Sequence, residues 1–340
     1  MATGSNNDDG VLGEDAIVQG YLARLADNPS AMGLRDDCAE LRPGPGQAFI
    51  LKTDPIRAGV HFLPTDAPGD IAWKALAVNV SDLAAKAARP VAYLLSLSFP
   101  EPPRAEWLEA FASGLAAAQD AFGMSLIGGD TDRAPGPLSM AVTAIGEMPM
   151  GKMVPRTAAR PGDILLVSGM LGDAALGLAV NQNGQAAQKL SLSPSDAEFC
   201  RQRYLRPQPR IGARAALRAY ACAAMDISDG LIKDAARMMD ASGCQGIINV
   251  ADVPLSPAFR RVLDQDGAQV RAAIAHGDDY ELLVAVAPDD VEAFRSLAAA
   301  GGVMMTQIGS CKAGAGLTTI GFDGGLMDLG KTGYDHFGET

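Results

Sequence analysis

The residues best suited to chemistry in this sequence are aspartates that stand beside predicted strand ends, turns or helix starts. A single aspartate in such a place most often caps a helix or stabilises a turn. Several here are flanked by glycine or serine, and converging carboxylates cannot share a small volume without cations. The set comprises Asp36, Asp37, Asp54, Asp82, Asp130, Asp226, Asp229, Asp278 and Asp279.

The composition of this set indicates which cation it would bind. The 340 residues include only three histidines, which argues against a histidine-rich zinc or iron centre. Oxygen ligands without nearby cysteine or histidine favour Mg²⁺ or Mn²⁺. Because Mg²⁺ usually keeps positions for water and substrate phosphate, phosphoryl transfer is the sharpest hypothesis.

Composition also limits the partners and the location. With 28 Lys and Arg against 40 Asp and Glu, the net charge is −12, which argues against nucleic acid or an anionic membrane as a partner. The apolar region 76–99 is interrupted by Asp82, Lys86 and Arg89, which a membrane span would not tolerate. Five scattered cysteines are typical of reduced thiols, so a cytoplasmic protein is expected.

The length favours two domains, and a cluster of proline and glycine over 149–162 places the boundary there. In the first part the patterns predict strands at 48–53, 91–99 and 138–146, the first ending at Asp54-Pro55. They also predict helices over 70–88 and from Trp107, with a break of the former near Asn79 left open.

The second part begins again with a predicted strand over 164–167 and a helix from about Asp173. It closes with a strand over 281–286 and a helix over 289–299. Because strands and helices mix without strict alternation, the fold class expected is mixed α/β and α+β rather than a regular barrel.

Eight segments in one order resemble a known family. They are Asp36-Asp37; Lys52-Thr53-Asp54 with Gly59-Val60-His61-Phe62; Ala77 to Ala85; Gly128-Gly129-Asp130-Thr131; Arg156 with Pro161-Gly162-Asp163; Met225 to Leu231; Asp278 to Leu282; and Gly333-Tyr334-Asp335-His336-Phe337. From about Leu34 to Phe337 the chain closely resembles the thiamine-monophosphate kinases. That family belongs to a superfamily with aminoimidazole ribonucleotide synthetase and selenophosphate synthetase.

The resemblance implies ATP-dependent phosphorylation of thiamine monophosphate to thiamine diphosphate by direct in-line transfer, in a homodimer. It implies an ATP- and Mg²⁺-binding α/β domain over 1–148 and an α+β domain over 149–340. Metal ligands would fall on Asp37, Thr53, Asp54, Asp82, Asp130, Asp226 and Asp229. Nucleotide contacts would fall on Gly129, Arg156 and Ser228, and substrate contacts on His61, Asp278 and Tyr334.

No general acid or base is assigned, because the acceptor phosphate is already anionic. The obstacle is the repulsion between two polyanions, which bound Mg²⁺ would remove. Four positions depart from the family pattern: Arg35, Lys52, His276 and Asp278. Lys52 removes one hydroxyl ligand, and its charge could instead meet phosphate or a neighbouring acid. Asp278 is one methylene shorter than the usual glutamate.

Two other functions stay open: a sister synthetase of the superfamily that uses ATP to activate an oxygen atom, and a non-catalytic metal–nucleotide binding protein. No reactive cysteine stands in a glycine-rich N-terminal segment, as a selenophosphate synthetase would be expected to have. His61 could equally make a structural hydrogen bond, and the loop 169–173 is either a tight turn or an anion site. The P-loop pattern at 325–332 is interpreted as a coincidence, since too little chain follows it for a helix.

Overall fold

The computed structural model describes residues 12–183 and 185–327. Tyr334 and the second half of the P-loop-like segment lie outside the described residues. Within them the chain forms two compact units, 12–83 with 89–151, and 84–88 with the residues from 152 on. No helix of this described part is both long and apolar enough to cross a membrane.

The first unit is built on a four-stranded sheet. Its strands are β1 (Gln47–Arg57), β2 (Arg89–Phe99), β3 (Ser125–Arg133) and β4 (Ser139–Pro149), and its helices are α1 (Glu14–Ile17), α2 (Pro68–Ala85) and α3 (Ala105–Phe122). A π-helical turn, Val18–Leu22, and two 3₁₀ segments, Ala23–Leu25 and Pro29–Leu34, follow α1. The strand order is β1-β4-β2-β3, in which β2 and β3 are parallel and the other pairs antiparallel.

Helices cover one face of this sheet. In β1 the odd-numbered residues 51–57 are exposed, while Ile56 is buried, as expected for a sheet with one covered face. Gln119 on α3 joins the layers, because its Oε1 accepts hydrogen bonds from the Tyr93 hydroxyl (2.8 Å) and the Leu126 N–H (3.1 Å). Every second side chain of β1 therefore points toward the helices, and the others point toward the open face.

Two local expectations for this unit are wrong, and the open question of a helix break near Asn79 is answered. The strand β1 does not end at Asp54-Pro55 but continues to Arg57, and proline is tolerated because β1 is an edge strand. Helix α2 is continuous through Asn79, whose buried amide donates to Ala75 O at 3.0 Å. Asp82 consequently lies inside a helix, and Asp130 lies within β3 rather than after it.

The second unit contains six strands and eight helices within its described residues. Its strands are β5 (Ile164–Ser168), β6 (Ala221–Ile227), β7 (Gln245–Asn249), β8 (Glu281–Val286), β9 (Met305–Lys312) and β10 (Gly316–Ile320). Its helices are α4 (Asp173–Gln182), α5 (Ala186–Lys189), α6 (Pro194–Leu205), α7 (Arg214–Tyr220), α8 (Leu231–Ser242), α9 (Pro257–Gln265), α10 (Val270–Ala275) and α11 (Val291–Ala300). Short 3₁₀ segments are Ile211–Ala213, Val250–Asp252, Gly267–Gln269 and Pro288–Asp290.

Both faces of the second sheet are covered. The strand order is β10-β7-β9-β5-β8-β6, with only β10 and β7 parallel. Along β8, Leu283 packs in a core cluster with α8 and α9, whereas Leu282 packs in the opposite cluster with α7 and α11. Burial on two faces explains why β8 is apolar from Leu282 to Val286 instead of alternating. The predicted mixed α/β and α+β class is confirmed.

Candidate functional site

In the first unit two of the predicted metal ligands converge on a lysine. Lys52 Nζ lies 3.0 Å from Asp54 Oδ1 and 2.8 Å from Asp82 Oδ2. The lysine therefore meets neighbouring acids, one of the two roles that its sequence left open. It contacts one oxygen of each carboxylate, and the second oxygen of each is the one that a metal ion could bind.

The local structure explains why these side chains meet. Lys52 and Asp54 are two residues apart on β1, so both project toward the face that the helices cover. Asn79 and Asp82 are three residues apart on α2 and share one helix face. Asn79 Oδ1 accepts the backbone N–H of Asp54 at 3.0 Å, which joins the helix to the strand at this point.

Lys52 and Asp54 both have pKa values that depart from their usual range. Burial would by itself lower the pKa of Lys52, but the attraction of Asp82 and Asp54 outweighs it and raises this pKa above its usual range. Burial raises the pKa of Asp54, and the nearby Lys52 ammonium opposes that rise. Lys52 is consequently a permanent positive charge at neutral pH.

Other predicted ligands of the first unit lie elsewhere on the sheet. Asp130 is on β3, the edge strand opposite to β1, so three strand spacings, about 14 Å across the sheet, separate it from Asp54. Thr53 Oγ1 accepts a hydrogen bond from Thr143 Oγ1 at 3.0 Å, and Asp37 is exposed in a loop. One copy of the sheet does not bring Asp54 and Asp130 together.

Gly129 occupies a position that only glycine can take. Its φ is +154°, and a Cβ atom there would lie 1.8 Å from Leu95 O on the neighbouring strand. The backbone of β3 thus passes close to β2 directly before Asp130. Gly129 is also exposed, as a nucleotide contact through the backbone would require.

His61 makes the structural hydrogen bond that its sequence left open. Its Nδ1 accepts the Arg57 N–H at 3.1 Å, and its own backbone N–H donates to Arg57 O at 2.9 Å. These bonds close the turn after β1 and hold the half-buried imidazole in place.

In the second unit the structure brings a predicted nucleotide contact and a predicted substrate contact together. Ser228 O accepts the Asp278 N–H at 2.9 Å, and Ile227 O accepts the Tyr280 N–H at 2.9 Å. Gly277 permits this pairing, since a Cβ atom there would lie 2.0 Å from Ser228 O. The backbone is strained beside it, with φ of +72° at Asp278 and +50° at Tyr280.

The turn that carries Ser228 and Asp229 is held by an acid that the sequence reasoning missed. The buried Asp234 accepts the N–H of Ser228 at 3.0 Å and that of Asp229 at 2.9 Å through Oδ2. Burial raises the pKa of Asp234 to about 6, although these backbone bonds oppose the rise. Its position early in α8 is the signal that could have identified it, since such acids bind the orphan N–H groups at helix starts.

The remaining predicted ligands of this unit have different environments. Asp226 is buried on β6, whereas the Asp229 carboxylate is paired with Arg237 Nη1 at 2.5 Å and with Lys233 Nζ at 3.6 Å. The Arg156 side chain is exposed, and its backbone O accepts a hydrogen bond from Ser242 Oγ at 3.2 Å. A metal ion bound to Asp229 would have to displace these two basic side chains or share the carboxylate with them.

A second acidic network surrounds the loop 169–173; the sequence singled out its Asp279 but gave no role to its Glu281. The fully buried Glu281 accepts hydrogen bonds from Ser168 Oγ (2.5 Å), Arg203 Nη2 (2.8 Å) and Arg210 Nε (2.6 Å). Both oxygens of the buried Asp279 accept the Gly172 N–H at 3.0 Å. Because the protein's own carboxylate binds this loop N–H, the tight turn is favoured over an anion site.

The fit to Mg²⁺ is partial within a single copy. Across 12–183 and 185–327 no three or more histidine, cysteine, aspartate or glutamate side chains are grouped as a metal-ion site. The donor atoms are nevertheless the hard oxygens that Mg²⁺ prefers, and Asp54 and Asp82 present two of them side by side. The residues fit a cation bound jointly with phosphate oxygens better than one enclosed by protein alone.

Comparison with known proteins defines the class first. Residues 35–148 match the N-terminal domain of AIR synthase related proteins, and residues 160–321 match their C-terminal domain. Thiamine-monophosphate kinase from Salmonella typhimurium is 42% identical over 328 residues, covering 96% of this chain and 98% of that protein. The chain belongs to the thiamine-monophosphate kinase family of AIR synthase related proteins.

Solved structures agree with this assignment. Thiamine-monophosphate kinase from Stenotrophomonas maltophilia K279a has a TM-score of 0.80 and 39% identity, covering 92% of this chain and 97% of that chain. AaThiL complexed with AMPPCP and TMP has a TM-score of 0.75 and 32% identity, covering 89% of this chain and 91% of that chain.

Proposed function

We propose that this protein phosphorylates thiamine monophosphate to thiamine diphosphate at the expense of ATP. The observation that carries the proposal is identity of 42% to a thiamine-monophosphate kinase over nearly the whole of both chains. The AaThiL complex with AMPPCP and TMP adds that a relative of the same fold binds an ATP analogue together with TMP. The protein is then a phosphotransferase whose acceptor is a phosphate group.

In the proposed mechanism the chain's residues position two polyanions and neutralise them. The acceptor phosphate needs no base, so charge neutralisation and alignment provide the rate acceleration. Mg²⁺, when bound, would withdraw charge from the phosphate oxygens. The residues proposed to hold it are Asp37, Thr53, Asp54, Asp82, Asp130, Asp226 and Asp229.

Nucleotide and substrate contacts form a second part of the proposal. The exposed backbone at Gly129 and the guanidinium of Arg156 would contact ATP, the latter by bidentate hydrogen bonds to phosphate. The pairing of Ser228 with Asp278 supports a shared role of that turn in binding nucleotide and thiamine phosphate. His61 would contact the substrate, and the role proposed for Tyr334 falls outside the described residues. The division at 148/149 into an ATP- and Mg²⁺-binding domain and an α+β domain stays a prediction.

A homodimer would complete the first unit. Asp54 and Asp130 stand on opposite edge strands, β1 and β3, so a second copy that places its β3 beside β1 would bring together the two strands that carry them. The open face of the sheet carries Leu51, 66% exposed, and Leu94, 36% exposed, which association would cover. Dimerisation and a cytoplasmic location both belong to the proposal.

The test is a product assay. Purified protein is incubated with ATP and excess Mg²⁺, with either thiamine monophosphate or thiamine as the acceptor, and chromatography quantifies ADP and thiamine diphosphate. We expect equimolar ADP and thiamine diphosphate with thiamine monophosphate only. ADP without thiamine diphosphate would favour the sister synthetase, and absence of both products would favour a non-catalytic binding protein.

A further inference from the structure

Lys52 lies between two carboxylates that belong to different elements. Its Nζ is 3.0 Å from Asp54 Oδ1 on β1 and 2.8 Å from Asp82 Oδ2 on α2. The three side chains are only 28% to 36% exposed, so water screens them incompletely. Two carboxylates this close repel each other more strongly here than in open water, and a cation must offset that repulsion.

The scaffold, and not the lysine, holds the two acids in place. Asn79 Oδ1 accepts the Asp54 N–H at 3.0 Å, and Asn79 lies one helical turn before Asp82. Asn79 is buried and its amide is fixed by a second hydrogen bond to Ala75 O. Removal of the Lys52 ammonium would therefore leave the acids adjacent and the site still in need of a cation.

An ammonium and a divalent ion cannot both occupy this position. Mg²⁺ that bridged the same two oxygens would stand about 2.1 Å from each, within the volume that Nζ takes up. The two cations would also repel each other. Lys52 supplies one positive charge that no chelator can remove, and it leaves the pair with a net charge of −1 for an ion bound from the other side.

We propose that Lys52 takes the place of a divalent cation at the Asp54–Asp82 pair. The chain then binds one divalent ion fewer than it would with a neutral residue at position 52. The inference rests on the proposed function only for the use of the remaining ions in phosphoryl transfer. The charge replacement itself requires neither nucleotide nor turnover, so it can fail or hold independently of the kinase activity.

The experiment counts bound Mn²⁺ by electron paramagnetic resonance on the full-length protein with no nucleotide present. It compares the unsubstituted protein, Lys52→Ser, Lys52→Arg, which keeps the charge, and Lys152→Ser, which removes an exposed lysine elsewhere. Thermal unfolding with and without MgCl₂ is measured on the same samples. Lys52→Gln is a second neutral variant for use if Lys52→Ser does not fold.

We expect the neutral variants to bind one more Mn²⁺ per chain than the other three proteins. Mg²⁺ should raise their Tm by more than it raises that of the unsubstituted protein. An unchanged ion count, or the same Mg²⁺-dependent rise in Tm in all variants, would overturn the proposal. Failure of both neutral variants to fold in Mg²⁺ would also contradict it, because the divalent ion should then substitute for the ammonium.

Discussion

Asp54 is the residue on which the proposed reaction depends most directly. Its carboxylate pairs with Lys52 through one oxygen, its backbone is fixed by Asn79, and its side chain shares the covered sheet face with Asp82. Loss of its charge should alter metal and phosphate binding without removing any contact of the apolar core. The residue therefore allows function to be separated from folding.

We predict that Asp54→Asn lowers turnover by more than about 100-fold, since even outer-shell partners of metal ligands are worth 10- to 100-fold. Because the Asp54 N–H still donates to Asn79, Tm should stay within a few degrees. Steady-state kinetics and thermal unfolding check both statements. Asp120→Asn, an exposed change on α3, is the control, and normal turnover in Asp54→Asn would remove Asp54 from the site.

Asp173 gives a pH prediction. Burial raises its pKa to about 6, against about 3.9 in an unfolded chain, and only Oδ1 of its two oxygens has a hydrogen-bond partner. The folded chain takes up this proton at a higher pH than the unfolded chain. Its contribution to stability is therefore complete below pH 4 and is lost as the pH rises through 6.

We expect Asp173→Asn to remove this pH dependence. Between pH 4 and pH 7 the free energy of unfolding of the unsubstituted protein should fall by about 2 kcal/mol more than that of the variant. Urea unfolding at both pH values measures the difference. The exposed Asp264→Asn is the control, and equal pH slopes for Asp173→Asn and the unsubstituted protein would contradict the burial argument.

At the scale of elements, periodicity predicted several helices and strands, because each of them buries an apolar face. The strand over 281–286 is confirmed as β8, and the strand over 164–167 as β5 with one residue more. The errors arose where tertiary contacts decide the local structure. The sequence left a helix break near Asn79 open, but this amide accepts the Asp54 N–H within a continuous helix. Pro55 indicated a strand end, although edge strands accept proline.

The candidate site was harder to predict from the sequence than the helices and strands were. Turn-placed aspartates could be recognised, but which of them meet depends on strand order, which places Asp54 and Asp130 on opposite edges. The supporting residues gave weaker signals still. Glu281 is 78 residues from Arg203 and 71 residues from Arg210 in the sequence, and it meets them only in the folded chain. No local pattern encodes such a network.

The pairing of Glu281 with two arginines gives a prediction about the element β8. Glu281→Gln would leave the Arg203 and Arg210 charges buried without their carboxylate, at a cost of about 3 to 5 kcal/mol in the free energy of unfolding. Urea denaturation measures this loss. Glu198→Gln, which removes an exposed pair with Arg201, should cost less than about 1 kcal/mol. A similarly small loss for Glu281→Gln would contradict the argument that its buried pairing with the two arginines stabilises the fold.

For the whole molecule, the net charge of −12 first served to argue against nucleic acid and membrane partners. The structure shows that part of this acidity is organised in pairs and networks that already contain cations, among them Lys52 and Arg237. The acidity of the protein is then consistent with the binding of two phosphate compounds. Its basic side chains and bound metal ions would lower the electrostatic repulsion between the acidic protein and these substrates.

The proposed homodimer makes a prediction at the same scale. Light scattering after gel filtration should give the mass of two chains. Leu51→Asp, on the open face of the first sheet, should shift it to one chain and lower turnover, since the proposed association would cover that leucine. Met304→Asp, an equally exposed apolar position in the second unit, is the control and should stay dimeric. A single-chain mass for the unsubstituted protein would refute the dimer.

The most direct measurement follows the γ-phosphoryl group of ATP. The protein is mixed with ATP labelled with ³²P at the γ position, thiamine monophosphate and excess Mg²⁺, and the label is traced by chromatography over a single turnover. The proposed function predicts that the label appears in thiamine diphosphate in step with ADP formation. Release of the label as inorganic phosphate, or ADP formation without labelled thiamine diphosphate, would contradict it.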